Sequence, residues 1–209
     1  MCTWEDWSQA YPDAKLYASP RLPAKRKDLT FYKTLSTDTS EPEWAGQIDQ
    51  CVFGTGNGWF DEIVFFHRTS GTAIFTDLIM DFDSATFTPI AQVTTRWNQM
   101  YQHTPRGVQL AHTLNRSTLR NALQTIRGWE PVRAIVAHSP WLCVEGKQQV
   151  AGFLDSAFDW LAPKSTIVES VTTAVRLLAL FLIVLPIHAL IVLIADIITP
   201  KLINRSGSK

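Results

Sequence analysis

"GTAIFTDLIMDF" (residues 71–82) is an apolar run that Asp77 interrupts and that resumes at once with three apolar residues. An ionised carboxylate beside a buried strand costs stability unless it is paired, hydrogen-bonded or bound to a metal. The run before it, "EIVFFH" (62–67), is also rich in β-forming residues, and "RTSG" (68–71) joins the two with a glycine in the turn. We therefore predict a β-hairpin whose second strand ends at Asp77.

The pattern outside this hairpin predicts a layered α/β domain. "IDQCVF" (48–53) is a further strand, and "PVRAIVAH" (131–138) is a near-continuous apolar strand that we expect to be buried on both faces. Apolar residues at helical spacing predict three helices. Their apolar faces comprise Ile90, Val93, Trp97 and Met100 in the first; Leu119, Ala122, Leu123 and Ile126 in the second; and Val150, Phe153, Leu154, Ala157 and Leu161 in the third. Strands alternating with helices in this order indicate an α/β sheet domain.

Asp77 and His138 each end a predicted strand, which makes them the candidate site. Functional groups in α/β sheets collect at strand ends, where loops open into a crevice. The two side chains could share a metal ion or act as an acid/base pair. In the purely structural alternative, Asp77 caps backbone amides and His138 bonds a carbonyl. Ser139 chemistry is disfavoured, because adjacent residues rarely face one another and no G-x-S-x-G motif surrounds it.

Four blocks of the sequence, in order, resemble one known family. They are "YPDAKLYASPRLPAKRKDLTF" (11–31), "PEWAGQIDQ" (42–50), "DEIVFFHRTSGTAIFTDLIMDF" (61–82) and "WEPVRAIVAHSP" (129–140). The resemblance is to a domain-of-unknown-function family related to the metallo-β-lactamase fold, over residues 4–161. It implies an αββα sandwich of two mixed sheets with helices outside. It also implies that Asp77 stands at the metal-bridging Asp and His138 at the last histidine ligand of such hydrolases.

The metal motif of those hydrolases is absent from this sequence. HxHxDH requires two histidines separated by one residue, and the five histidines here (67, 103, 112, 138 and 188) include no such pair. The region that would carry the motif falls before Met1, so we expect an incomplete sandwich with an open sheet edge that a protein partner could pair with. We expect no metal cofactor. In the alternative, one zinc, iron or manganese ion is held by Asp77, His138 and a third ligand among His67, His103 or His112.

Other motifs give weaker indications of function. A zero net charge provides no electrostatic case for nucleic acid. The cluster Lys25–Lys27 is interpreted as a solvated turn, with a phosphate or lipid-headgroup site as its alternative. "GTGNG" (54–58) precedes a strand, so it lacks the helix N-terminus of a phosphate site. Trp97, Trp129 and Trp141 are predicted to be core. Three widely spaced cysteines, an odd number, indicate no disulfide framework.

Residues 177–195 predict membrane attachment. They contain no charged residue, and a nineteen-residue helix would span about 28 Å, close to the bilayer core. We predict a domain over 1–162, a linker over 163–176, a single transmembrane helix over 177–198 and a short basic tail over 199–209. No signal peptide is evident, so we expect the main domain to face the cytosol. We interpret the chain as a membrane-anchored, metal-free binding or scaffold module, or alternatively as a weak metal-dependent hydrolase.

Overall fold

The computed structural model divides into two compact units, Met1–Ala162 and Pro163–Lys209. The structure describes residues 7, 9–54, 60–83, 85, 87–139, 143–163, 171, 174, 175 and 178. The first unit holds every strand described below. Its helices are α1 (Leu22–Lys25), α2 (Pro89–Trp97), α3 (Arg106–Ala111), α4 (Arg116–Gly128) and α5 (Lys147–Ala157), with short 3-10 helices at Thr113–Asn115 and Asp159–Leu161.

A five-stranded mixed sheet organises the first unit. Its strands are β3 (Ile48–Gly54), β4 (Asp61–His67), β5 (Thr72–Phe75), β8 (Arg133–Val136) and β9 (Cys143–Glu145), in that spatial order. The predicted hairpin is confirmed, because β4 and β5 pair antiparallel with His67 opposite Thr72. β5 and β8 pair in parallel, and β9 pairs antiparallel with β8 at the edge of the sheet. The chain therefore has a mixed α/β fold.

The core lies between one face of this sheet and helices α4 and α5. Alternate strand residues point toward it, among them Val64 and Phe66 on β4 and Ala73 and Phe75 on β5. The predicted apolar faces of α4 and α5 are confirmed: Leu119, Leu123 and Ile126 are buried in the first, and Val150, Phe153, Leu154 and Ala157 in the second. Gly128 ends α4 as expected, although Asn115 makes no side-chain cap bond.

β8 differs from its prediction, because it is buried on one face only. Ala134 and Val136 are 0% and 3% exposed, whereas Ile135 is 42% exposed and Val132, just before the strand, is 40% exposed. The outward-facing Arg133 donates to Glu145 of β9 at 3.0 Å, an ion pair that suits a solvent-facing sheet surface. The expectation of a strand buried on both faces is thus wrong. Apolar composition alone did not distinguish the two faces.

The N-terminal segment packs near the β3 and β4 side of the sheet. Its strands β1 (Tyr17–Ala18) and β2 (Lys33–Thr34) form a small parallel pair. The Trp44 ring meets the Phe65 ring of β4 edge-on, with centroids 6.5 Å apart. Asp38 accepts a hydrogen bond from the backbone amide of Val52 at 2.7 Å. One outward amide of edge strand β3 is therefore already satisfied.

Helix α2 and the short pair β6 (Met80–Asp81) and β7 (Tyr101–His103) follow the β5 strand end. The predicted helix is confirmed, but its apolar face is not core. Ile90, Val93 and Trp97 are 79%, 67% and 59% exposed. The prediction that Trp97 is a core residue is therefore wrong. Trp129, by contrast, packs against the core with its ring stacked on that of Phe66, and Trp141 lies outside the described residues.

The predicted αββα sandwich requires two large sheets. Among the described residues, the five-stranded sheet is accompanied only by the two-stranded pairs β1–β2 and β6–β7. The predicted membrane helix at 177–198 lies outside the described residues except for Leu178. No helix among the described residues is long and apolar enough to cross a membrane.

Candidate functional site

The parallel pairing of β5 and β8 brings Asp77 and His138 together. Phe75 and Val136 are register partners at the strand ends, and Ala137 donates its amide to the Phe75 carbonyl at 3.0 Å. Asp77 and His138 each follow these partners by two residues. The Nε2 atom of His138 lies 2.5 Å from Oδ1 of Asp77, within hydrogen-bond distance. The two predicted site residues therefore contact each other directly.

This pair lies at the surface rather than in the core. The Asp77 side chain is 53% exposed and the His138 side chain 46% exposed. The Phe82 ring lies beside the imidazole, with centroids 5.8 Å apart. Asp77 therefore faces solvent rather than the core. In the structural alternative, Asp77 would cap amides and His138 would bond a carbonyl, but the observed bond joins the two side chains.

Glu62 does the amide capping that we considered for Asp77. This β4 residue is 5% exposed, and its carboxylate accepts the backbone amides of Thr76 at 2.7 Å and Leu78 at 2.6 Å. These two amides flank Asp77 in the chain. Burial, with a smaller effect from the charge of Asp77, raises the pKa of Glu62 to about 7. Glu62 thus holds the loop that presents Asp77.

Sequence reasoning missed Glu62, although a signal was available. It precedes Val64 and Phe66 at the two-residue spacing of one strand face, and both of these side chains are buried. A charged residue on an otherwise apolar face of a strand needs a partner. Here the partner is the backbone of the loop after the next strand.

His67 cannot join the pair at the strand ends. It is paired with Thr72 at the start of β5, whereas Asp77 follows the end of that strand. Strand β5 (Thr72–Phe75) alone separates its two ends by roughly 10 Å. Its Nδ1 atom lies 2.8 Å from the Ser70 hydroxyl. His67 therefore belongs to the hairpin turn at the opposite end of the strand.

The other two candidate ligands have different surroundings. Nδ1 of His103 lies 3.0 Å from the carbonyl of Ser156 at the end of α5. His112 is fully buried, and its ring meets that of Phe60 edge-on with centroids 6.1 Å apart. Burial lowers the pKa of His112, so a neutral imidazole is favoured there. His188 lies outside the described residues.

The donor set at the strand ends does not fit a two-metal centre. Such a centre needs several His and carboxylate ligands from different loops, holding two ions a few Å apart. Among the described residues, no group of three or more His, Cys, Asp or Glu side chains is placed to hold a metal ion. Asp77 and His138 supply two donors, which bond each other.

The remaining sequence candidates have contacts of their own. The Ser139 hydroxyl donates to Oδ2 of Asp81 at 3.4 Å. Arg26 of the basic cluster pairs with Asp28 at 2.6 Å, while Lys25 and Lys27 are exposed. Cys51 is a free buried thiol, and burial raises its pKa to about 12. Most of "GTGNG" lies outside the described residues.

Several solved structures match the chain. They include a metallo-β-lactamase from Pontibacter korlensis (TM-score 0.43, 14% identity, covering 74% of this chain and 62% of that one). The DIM-1 metallo-β-lactamase exposed to ceftazidime matches at TM-score 0.42 and 14% identity, over 73% of this chain and 60% of that one. The peroxy diiron species of the chemotaxis sensor ODP matches at TM-score 0.43 and 15% identity, over 76% and 65%.

Two of these neighbours are metallo-β-lactamases, the class of protein whose fold the four sequence blocks resemble. This chain spans 60–65% of the length of the three matched structures. No family model matches the chain, and no curated protein sequence matches it. With TM-scores of 0.42 and 0.43, the likeness supports no inference about activity.

Proposed function

We propose that this chain is a membrane-anchored binding module that works without a metal ion. The observation that carries the proposal is the direct contact between Asp77 and His138, 2.5 Å apart. Nε2 of His138 and Oδ1 of Asp77 are bonded to each other, so neither atom can bind a metal ion unless that bond breaks. A metal that displaced this bond would gain two protein donors, whereas catalytic zinc sites commonly use three.

The solvent exposure of the pair also supports a binding rather than a hydrolytic role. Both side chains are about half exposed. Enzymes commonly exclude water from the reacting atoms. Asp77 and His138 are open to solvent and lack that exclusion. At the surface, the Asp77 carboxylate offers a hydrogen-bond acceptor and the His138 imidazole a donor.

Metal content tests this proposal. We expect protein purified without chelators to contain zinc, iron and manganese far below one ion per chain. The matched variants His138→Asn and His67→Asn should then give the same low values. A reproducible ratio near one ion per chain that His138→Asn abolishes and His67→Asn keeps would favour the alternative, a weak hydrolase with a reduced metal site.

We further propose that a protein partner of this module pairs at the β9 edge of the sheet. The outward side of β3 already has the Val52 amide bonded to Asp38, and β9 is the last strand on the opposite side. A photoreactive residue placed at Glu145, whose side chain is 65% exposed, should cross-link to a second polypeptide in native membranes. Cross-links confined to this chain would contradict the proposal.

A further inference from the structure

Helix α2 (Pro89–Trp97) presents its apolar side outward and its polar side to the protein. None of its residues is buried. Ile90, Val93 and Trp97 recur at helical spacing and are the most exposed large apolar side chains of the helix, at 79%, 67% and 59%. We call these three residues the α2 stripe. An amphipathic helix of a domain normally turns such a stripe toward the core.

One polar side chain of α2 bonds the neighbouring strand β7, and two further hydrogen bonds lie at the N-terminal end of the helix. The Thr95 hydroxyl lies 2.7 Å from the Tyr101 hydroxyl of β7. The Gln92 side chain donates to the Phe87 carbonyl at 3.1 Å. Thr88 caps the helix N-terminus by accepting the Ala91 amide at 3.4 Å. The Thr95 bond therefore ties the side of α2 away from the stripe to β7, while the stripe lies outside.

Positive charge flanks the stripe. Arg106 places its guanidinium 5.4 Å from the centre of the Trp97 ring. Arg96 stands on α2 beside the stripe and is exposed. Neither arginine has an acidic partner among the described residues. Long arginine side chains can keep their charge in water or on a phosphate while their stems lie against apolar surface.

The wider segment has a one-sided charge. Residues 84–129 contain five arginines and not one aspartate, glutamate or lysine, although the whole chain is neutral. Three of the five are used within the domain or buried: Arg116 is 3% exposed, Arg120 donates to the Leu161 carbonyl, and Arg127 pairs with Asp155. Arg96 and Arg106 remain at the surface, next to the stripe. The electrostatic complement of this surface is anionic.

We propose that the α2 stripe docks on an anionic membrane surface, with Ile90, Val93 and Trp97 in the headgroup region and Arg96 and Arg106 on lipid phosphates. Helices that lie in this interface combine an apolar face bearing Trp with flanking cations. A nine-residue helix with three apolar contacts binds weakly alone. The inference therefore rests on the proposed anchor at 177–198, which would hold the domain at high effective concentration beside the bilayer.

A fluorescent reporter on the stripe tests this docking in the full chain. The label is an environment-sensitive nitrobenzoxadiazole on Val93→Cys, in a background with Cys2→Ser and Cys143→Ser that keeps the buried Cys51. The matched control carries the label on Thr118→Cys, an exposed position of α4. Both proteins are reconstituted into vesicles of phosphatidylcholine with phosphatidylserine and into vesicles of phosphatidylcholine alone.

We expect blue-shifted emission at position 93 and several-fold stronger quenching by brominated lipid than at position 118. Both effects should weaken in vesicles without phosphatidylserine and in the Arg96→Gln/Arg106→Gln double variant. Equal emission at the two positions would overturn the proposal. So would a blue shift at position 93 that brominated lipid does not quench, because that result would indicate contact with protein instead of lipid.

Carbonate extraction of the same vesicles separates this inference from the anchor. Lipid quenching at position 93 before extraction, followed by release of the chain by carbonate, would refute the anchor and keep the docking. Retention after extraction without such quenching would do the reverse. Should the labelled variants fold poorly, hydrogen exchange of the amides of residues 89–97 in the unsubstituted chain provides the same comparison. Slower exchange with phosphatidylserine than without it is expected, and equal exchange would contradict the docking.

Discussion

Glu62 places an ionisable group inside the core, directly below the loop that carries Asp77. Its two hydrogen bonds to the Thr76 and Leu78 amides favour the charged form, while burial favours the neutral form. Burial has the larger effect, and the pKa of Glu62 is about 7. The loop that presents Asp77 is therefore bonded to a residue whose protonation changes near neutral pH.

Glu62 should make stability fall as pH rises through about 7. The carboxyl titrates at 4.5 in the unfolded chain, so between 4.5 and about 7 the folded state holds a proton that the unfolded state has lost. Its stabilising contribution is complete below 4.5 and is lost above about 7. A shift of this size corresponds to a change on the order of 3 kcal/mol in the free energy of unfolding.

Urea unfolding of the wild type and Glu62→Gln at a series of pH values measures this effect. The variant stays neutral at every pH, so it should lack this part of the pH dependence while losing one amide bond, at a cost of about 1–3 kcal/mol. The comparison also cancels the contribution of His112, whose lowered pKa acts in the opposite direction. Parallel pH profiles for the two proteins would show that Glu62 does not titrate in this range.

Individual site residues were predictable where strand topology alone positions them. Asp77 and His138 could be placed together because each follows an apolar strand, and parallel strands end at the same edge of a sheet. Whether they bond each other or a metal depends on side-chain distances that a sequence does not encode locally. The capping role of Glu62 depends on a backbone loop fourteen to sixteen residues away along the chain.

At the scale of the element, β8 shows that an apolar run can form a strand with one buried face and one exposed face. "VRAIV" contains one arginine, and that residue marks the outer face. Arg133 pairs with Glu145 across the strand, and Ile135 shares its face, while Ala134 and Val136 face the helices. Predicting burial from composition alone overlooked this period of two.

Two valines provide a matched test of this one-sided burial. Val136→Ala should lower the free energy of unfolding by about 2–3 kcal/mol, because it removes buried methyl groups and leaves a cavity. Val132→Ala should cost less than about 1 kcal/mol, since Val132 is 40% exposed. Chemical denaturation of the two variants measures both values. Similar losses for the two would mean that the outer face is buried in the protein in solution.

For helix α2, the sequence predicted the element but not the direction of its apolar face. Its period of 3.6 predicted a helix correctly, but periodicity reports which residues share a face and not where that face points. The direction is set by contacts with other elements, here the Thr95–Tyr101 hydrogen bond to β7. The helix pattern does not contain such a contact, so it favoured the commoner inward orientation.

At the scale of the whole molecule, the anchor at 177–198 is a prediction from composition. Residues 177–195 include fourteen Leu, Ile, Val or Phe residues. At about −0.3 to −0.6 kcal/mol each, these favour membrane insertion by roughly −4 to −8 kcal/mol. Pro186 and His188 offset part of this. The basic residues Lys201, Arg205 and Lys209 follow the apolar run.

Carbonate extraction of native membranes should leave the chain in the membrane fraction, because a spanning helix resists removal at high pH. Recovery in the soluble fraction would rule out a spanning helix. Protease added to intact organelles should digest the 1–162 domain, because we propose that this domain faces the cytosol; outer membranes of organelles would fit this orientation. Protection of the domain would contradict that orientation.

Asp77 and His138 bond each other, and we propose that this bond leaves no metal site. Long-range proton–nitrogen NMR of the imidazoles, recorded during a zinc titration with His138→Asn to assign the signals, tests it most directly. The account predicts that the ring nitrogens of His138 keep their resonances when one equivalent of zinc is added. Saturable movement of the His138 nitrogens into the metal-bound range at one equivalent would contradict it.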